Sequence, residues 1–552
     1  MRLPDSNISE LEALVQAELT RRQLLRRAGV AGAALAIPGV FANLSQAAAL
    51  RSGQIETLTW AFPQTVDSLD AARGATAAAE NATANVIEAL VTYDAKGRLT
   101  PHLASSVRQP DGRTYVFKIR SGVRFSDGTP LTVDDVVYSI TRMWKDKVSI
   151  FGGLFANIQS AKRTGPLELT IKLKQPSATF KFLATFLFVG QRKSMEAAGD
   201  KLGTPGALGI YTGPYTFQSF VPGDTVTLVR NDRYWGKKPA AARIVFKVFK
   251  DAATMRLALQ AGEIDGAFRI PLTDVERWDR LTNANVLRGT GPVQQFYMSF
   301  DTKQAPWSDV HIRRAIAHSI DKAGILRAVF KGNGEVARTI VPTSEWASLG
   351  LSPAQVRKLY SQIPDYNFSL AKAKQELAQS SKPRGFKETV WVPSDSDPEL
   401  TQIAISLAQS LKRIGVDLTV KPVPGAQFYG RFYSNKKNTG FNVIRNGPTF
   451  LDPADFPLIM LRKPSVGSTG FHSANYFNPR VETLLDRSET TLAVKVRQRS
   501  IIDALKIAAP DVPYVPVVFG GGAMAISKKY EYTGFHPWAY LIQLWALRIR
   551  ER

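Results

Sequence analysis

The sequence predicts a large mixed α/β protein of two or more lobes, and three observations carry that prediction. Helical, glycine and strand patterns recur in that order along the chain, which is the grammar of mixed α/β layers. The 552 residues are 44% hydrophobic and 10% aromatic, enough for a large core and more than one core usually holds. No long polar linker and no internal repeat breaks the alternation.

The first element is an address. Arg21-Arg22 and Arg26-Arg27 precede an Ala/Gly/Val/Leu/Ile run with no charge until Arg51, broken by Pro38, Asn43 and Ser45. A charged start, an apolar middle and a small-residue end describe a secretory signal. Cleavage is expected at Ser45-Gln46-Ala47 or Ala47-Ala48-Ala49, so that residues 1–49 form the signal. Thr20-Arg21-Arg22 with Leu24-Leu25 behind it resembles a twin-arginine export signal. The stretch is too dilute in Leu for a transmembrane anchor, and a nucleic-acid arm would not lead into an apolar run.

Later elements follow the same local logic. Tyr115, Phe117 and Ile119 in "TYVFKIR" alternate as a half-buried strand does. Thr132 and Asp135 form a capping box after the "SDGTP" turn, opening a helix with Val136, Val137, Ile140, Met143 and Trp144 on its apolar stripe. "ATMRLALQAGEIDGAF" predicts a helix closed by Gly262 and a strand through Ile264. "LTQIAISLAQSLKRIGVDLTV" predicts a helix with Ile403, Leu407 and Leu411 inward, Gly415 as cap, then a strand.

Composition narrows the function. The formal charge is +24, from 71 Lys+Arg against 47 Asp+Glu. Residues 1–47 hold five basic and four acidic residues, so the exported chain stays at +23. The basic residues are scattered singly or in pairs such as Lys237-Lys238, Lys436-Lys437 and Lys528-Lys529. No basic run interleaved with aromatics occurs, so a solvated basic surface is expected rather than a nucleic-acid groove. Cysteine is absent, which excludes thiol catalysis, Cys-zinc sites, disulfides and attachment through a lipidated cysteine. A soluble exported protein is expected.

The longer motifs point to a family. "AFPQTVDSLDAA", "EALVTYDAKGRLTPHLASSVRQPDGRTYVFKIRSGVRFSDGTPLTVDDVVYSITR", "YTGPYTFQSFVPGDTVTLVRNDRYW", "MRLALQAGEIDGA", "SDVHIRRAIAHSIDKAGIL", "AKAKQELAQ", "LKRIGVDLTV", "DPADF" and "PDVPYVPVV" follow one another in order. Together they resemble the extracellular solute-binding proteins of family 5, the peptide, opine and nickel binders of ABC importers. Val107 stands where a Trp is usual. The resemblance implies a two-lobed α/β periplasmic binding protein fold of the large, class II peptide-binding type. Lobe I would hold 51–291 and 514–552, with an extra subdomain at about 85–210, and lobe II would hold 292–513. The chain would cross between lobes near "QQFYMSF" and "VPYVPVV", and the cleft would close like a hinge.

The resemblance also implies a site. The loop Gln64-Thr65-Val66-Asp67 would touch ligand through Val66 and Asp67, with Gln295, Tyr297 and Trp391 as further contacts. Peptide binders carry a Trp-x-x-Asp-x-x-Asp-Pro segment whose first Asp meets the ligand's α-ammonium. Aligned on Asp452-Pro453, Asn446 replaces the Trp and Thr449 replaces that Asp. Thr449 cannot neutralise a buried ammonium, so a free-amino peptide loses its anchor unless Asp452, Asp455 or Asp67 substitutes. Arg445, beside Asn446, would favour an anionic group if it faces the cleft.

The expected ligand is therefore a peptide-like or small organic solute such as a blocked peptide, an opine or a sugar phosphate. The implied partners are an inner-membrane ABC permease with cytoplasmic ATPase subunits and the twin-arginine export machinery. The protein would be a periplasmic monomer, needing no cofactor or nucleic acid. Five dispersed histidines make a poor nickel site, and His472 and His536 read as loop or packing residues. The competing classes are an exported hydrolase on the same fold and a polyanion-binding basic protein. H-E-x-x-H, G-x-S-x-G and G-x4-G-K-[ST] are absent. Ser319-Ile320-Asp321-Lys322 matches S-x-x-K without a downstream K-T-G, and Gly289-Thr290-Gly291 and "FGGGAMA" are incomplete glycine motifs. No catalytic residue is expected.

Overall fold

The computed structural model describes residues 55–552 except 75, 95–96, 148, 250, 290–293, 395, 434–439, 464–471 and 536–544. The export signal, Lys436-Lys437, Thr290, Gly291 and His536 lie outside the described residues.

A seven-stranded mixed sheet runs in the order Tyr215–Val221, Thr225–Arg230, Ala241–Val248, Ile55–Phe62, Gly266–Ala267, Ala523–Ser527, Ala284–Arg288. Its central strand, Ile55–Phe62, pairs in parallel with both neighbours. Leu58, Trp60, Phe62, Ile244 and Phe246 are buried on it, and Trp60 packs 5.0 Å from both Phe268 and Trp545. A second sheet of four antiparallel strands orders Gly334–Val336, Tyr514–Gly520, Gln294–Phe300, Phe441–Asn446. A third, also four-stranded and antiparallel, joins Ala104–Asp111, Thr114–Ile119, Glu168–Leu173 and Ile158–Gly165 over its own core.

The local expectations hold where the signal is local. Thr132 and Asp135 form the reciprocal capping box of the helix Val133–Lys145, and Tyr115, Phe117 and Ile119 are buried. Val137 and Trp144 only edge that core, so the buried stripe is narrower than the pattern predicts. Gly262 caps Ala252–Ala261 at φ +79° and Gly415 follows Pro398–Lys412 at φ +89°, left-handed conformations that glycine adopts freely, but the strand after Gly262 is only Gly266–Ala267 and does not include Ile264.

The chain passes twice between the first two sheets, side by side. Ala284–Arg288 and Ala523–Ser527 pair in the seven-stranded sheet, while their continuations Gln294–Phe300 and Tyr514–Gly520 pair in the four-stranded one. The strand Tyr514–Gly520, assigned from sequence to the first lobe, thus bonds within the second sheet, and the return crossing falls at Gly521-Gly522. A Cβ on Gly521 would meet the Gly289 carbonyl at 2.7 Å; glycine is what lets the crossings approach. Among the described residues no helix is long and apolar enough to cross a membrane.

Candidate ligand cleft

A cavity of about 2100 Å³ opens between these elements, ample for a peptide-sized solute. One wall comes from the seven-stranded sheet and the helix Ala77–Thr83, through Gln64, Glu80 and Arg269; the facing wall carries Asp397, Arg445 and Thr449.

Each wall is positioned by backbone bonding. Phe268 N–H donates to Ala61 O at 3.2 Å and Ile270 N–H to Ala523 O at 3.2 Å. Arg269, clamped between them at φ +54°, is turned out of the sheet into the cavity. Glu80 rides a helix capped by Thr76 and held by Trp545, whose indole donates to Asn81 O at 3.0 Å. On the facing wall the register pairs Phe296 with Arg445 and Gln295 with Asn446. Opposed residues share a face, so Phe296 and Arg445 look into the cavity while Gln295 and Asn446 look into the core.

That register decides most of the predicted site. Arg445 and Thr449 line the cavity; Val66, Asp67, Gln295, Tyr297, Trp391 and Asn446 do not. Val66 is core. Asp67 is turned aside to accept from the Thr76 hydroxyl at 2.9 Å. Gln295 donates to Ile340 O at 3.1 Å, and Asn446 donates to the Tyr297 hydroxyl at 2.8 Å. Trp391 sits under Arg431, 4.4 Å from its guanidinium carbon. The residues lining beside these are Gln294 and Phe296, each one position away on the strand, and Gln64, two positions before Val66 in the loop.

The sequence reading missed the charges that matter most. Arg445 is ion-paired to Asp397, which also accepts from the Tyr429 hydroxyl at 2.6 Å. Asp397 stands at the N-cap of Pro398–Lys412 yet caps nothing; its carboxylate is diverted to the cavity. Burial alone would raise its pKa, but Arg445 and Arg269 outweigh that and hold it down at about 2. Glu80 is pushed up to about 7 by burial, against the pull of Arg269 and with the push of Asp67. Burial, with Arg445 close by, lowers the Arg269 pKa.

Asp452 and Asp455, the alternatives for an amine anchor, are both fully buried behind the wall. Asp452 takes a two-pronged contact from Arg497 at 2.7 and 3.2 Å. Asp455 accepts the Thr449 N–H at 2.7 Å. Neither lines the cavity, and neither does Asp67. His472 does line it; neither ring nitrogen has a hydrogen-bond partner among the described residues, and burial lowers its pKa. Ser319 is buried and donates to Ala315 O at 2.8 Å, while Lys322 donates to Ala337 O at 3.2 Å; the two side chains do not bond each other.

The walls also touch directly. Phe182 stacks on Phe450 at 5.8 Å and 7°, Leu451 N–H donates to the Tyr93 hydroxyl at 3.3 Å, and Ala178 N–H donates to Glu489 O at 2.7 Å. The Thr179 hydroxyl reaches both Glu489 carboxylate oxygens at 2.8 Å. Phe450→Ala removes a stack worth about 0.5–1.5 kcal/mol beyond burial. Ligand-free Phe450→Ala protein is expected to show a larger radius of gyration in small-angle X-ray scattering. An unchanged radius would mean that these contacts do not hold the walls together.

Comparison with known proteins agrees with this architecture. The probable D,D-dipeptide-binding periplasmic protein DdpA of Escherichia coli (strain K12) is 28% identical over 444 residues, covering 79% of this chain and 82% of DdpA. Two solved structures share the two-lobed fold. The periplasmic binding protein DppA from Helicobacter pylori, in complex with the peptide STSA, has a TM-score of 0.78 at 21% identity over 91% of this chain and 99% of its own. AgaA from A. tumefaciens R10, in complex with agropinic acid, has a TM-score of 0.77 at 20% identity over 90% and 99%. Residues 98–468 match the profile of the bacterial extracellular solute-binding proteins, family 5. The chain belongs to that family.

Proposed function

We propose that this protein is the periplasmic substrate-binding component of an ABC importer. It captures a small organic solute, of blocked-peptide, opine or sugar-phosphate type, by closing its two lobes. It then delivers that solute to an inner-membrane permease driven by cytoplasmic ATPases. It reaches the periplasm through the twin-arginine machinery, acts as a monomer and does no covalent chemistry.

The observation that carries the solute class is the wall around Thr449. It offers a backbone already bonded to Asp455, and the carboxylates nearest in sequence, Asp452 and Asp455, are turned away from the cavity. A free α-ammonium placed there would be desolvated beside carboxylates already engaged elsewhere, Asp397 by Arg445 and Asp455 by the Thr449 N–H, which is costly. The facing arginines favour a neutral or anionic group instead.

The test is thermal unfolding of the protein from Ala48 onward with free dipeptides, N-acetylated peptides, opines, sugar phosphates and nickel. A solute at about 100 times its dissociation constant adds about 2.7 kcal/mol of stability. Stabilisation is expected from acetylated or anionic solutes. Submicromolar binding of unmodified dipeptides would sink the reading of Thr449, and turnover of a bound solute would sink the receptor role.

A further inference from the structure

Two guanidiniums and one ionised carboxylate meet at the cavity wall, and they are not equivalent. Arg445 is committed: it pairs with Asp397 and lies 6.0 Å from the centre of the Tyr429 ring. Arg269 is not. Its one hydrogen bond among the described residues is a long 3.4 Å contact from Nη1 to Gln64 Oε1, and it makes no ion pair with any of them. An arginine carries five N–H donors, so the rest of this fork is presented to the cavity.

The backbone argues the same way. Arg269 (φ +54°) and Asp397 (φ +49°) are two of the five described non-glycine residues in the left-handed region. Such conformations cost roughly 1–3 kcal/mol each and gather at ligand clamps. Here they fall on the two charged residues that face each other across the cavity. The strain on Arg269 is what aims its side chain away from the sheet.

Resting on the receptor reading above, we propose that Arg269 is the specificity-determining cation of the cleft and receives one carboxylate of the solute. Arg445, pinned by Asp397, acts as its neighbour rather than as the anchor. The charge balance selects the ligand group. Of the charged groups that bear on Arg269, Arg445 and Asp397 cancel as an ion pair, and Glu80, pushed up to about 7 by burial, offsets the remaining positive charge of Arg269 at most in part. That matches a planar monoanion, which a guanidinium fork meets with two parallel hydrogen bonds, better than a phosphate dianion. Gln64, already reaching Arg269, steadies the fork.

The experiment compares N-acetyl-alanyl-alanine with its C-terminal amide, so that the probes differ only in the carboxylate. Binding to the mature protein, to Arg269→Gln and to Arg269→Asn is read by calorimetry and thermal shift. Asn tolerates the left-handed backbone, so it keeps the test alive if Gln impairs folding. The mature protein is expected to prefer the carboxylate, and both variants to bind it about 10- to 100-fold more weakly, with amide binding unchanged. Equal binding of the carboxylate by the mature protein and a folded variant overturns the anchor and leaves the receptor reading standing. If neither probe stabilises the mature protein at ~10 mM, where even a millimolar ligand would register, the result counts against both.

Discussion

Arg497→Met lowers the unfolding free energy by about 3–5 kcal/mol, the cost of leaving one partner of a buried ion pair uncompensated. Arg497 and Asp452 are almost wholly buried, and Arg497 Nε also donates to Ser488 O at 3.0 Å. Its loss strands Asp452 in a pocket that already holds Glu345 and Asp455, each pushed up by burial and by its acidic neighbours. The damage reaches the cleft because Asp452 also accepts the Ser348 hydroxyl at 3.1 Å and bonds the Ala454 N–H at 3.1 Å, fixing the turn that follows Thr449 and Phe450. Denaturant titration of Arg497→Met, of Asp452→Leu and of the double variant reads the coupling. The double variant is expected to recover most of the loss, since an apolar pair leaves no unpaired charge. A loss below about 1 kcal/mol in Arg497→Met would show that the pair does not brace this wall.

The sequence made the scaffold legible and half of the cleft illegible, for physical reasons. A capping box and a glycine cap are written within a few residues, so Thr132, Asp135, Gly262 and Gly415 could be read directly. Lining residues on a strand depend on which face meets the cavity, and that needs a clear alternation. Gln294–Phe300 gives none, because six of its seven residues are buried. Gln295 and Tyr297 were therefore one register step from the lining residues Gln294 and Phe296. Thr449 was found because its segment ends on a recognisable Asp-Pro pair. Arg269 had no such marker. Its role arises from a left-handed backbone clamped by Ala61 and Ala523, partners over 200 residues away on either side. Asp397 was hidden for the opposite reason: before Pro398 at a helix start it reads as an ordinary cap, and only the fold shows that it caps nothing.

Glu345→Met is expected to stabilise the protein by about 1–3 kcal/mol near pH 4.5, the cost of a buried polar group left without partners, and by more as the pH rises. Both Glu345 carboxyl oxygens are buried and have no hydrogen-bond partner among the described residues, and burial followed by the charges of Asp455 and Asp452 holds its pKa well above the usual range. Asp455 behaves likewise, at about 8. The sign of the pH dependence follows. Above about pH 4.5 the unfolded chain ionises these carboxyls while the folded protein keeps them protonated, so the unfolded state binds fewer protons. Stability contributed by the protonated groups is complete at low pH and declines as pH rises, with a slope of up to about 1.4 kcal/mol per pH unit for each group. Asp397 works in the opposite sense, its contribution being lost only as pH falls towards about 2. Denaturant midpoints between pH 5 and 9 should therefore fall with pH, and Glu345→Met should flatten the fall by one group's share, its advantage growing with pH. A gain independent of pH would mean that Glu345 ionises normally. A protein that keeps an acid its core would be more stable without places that acid where it serves something else. Here it sits with Asp452 and Asp455 behind the Thr449–Leu451 turn, the segment that both lines the cleft and touches the opposite wall.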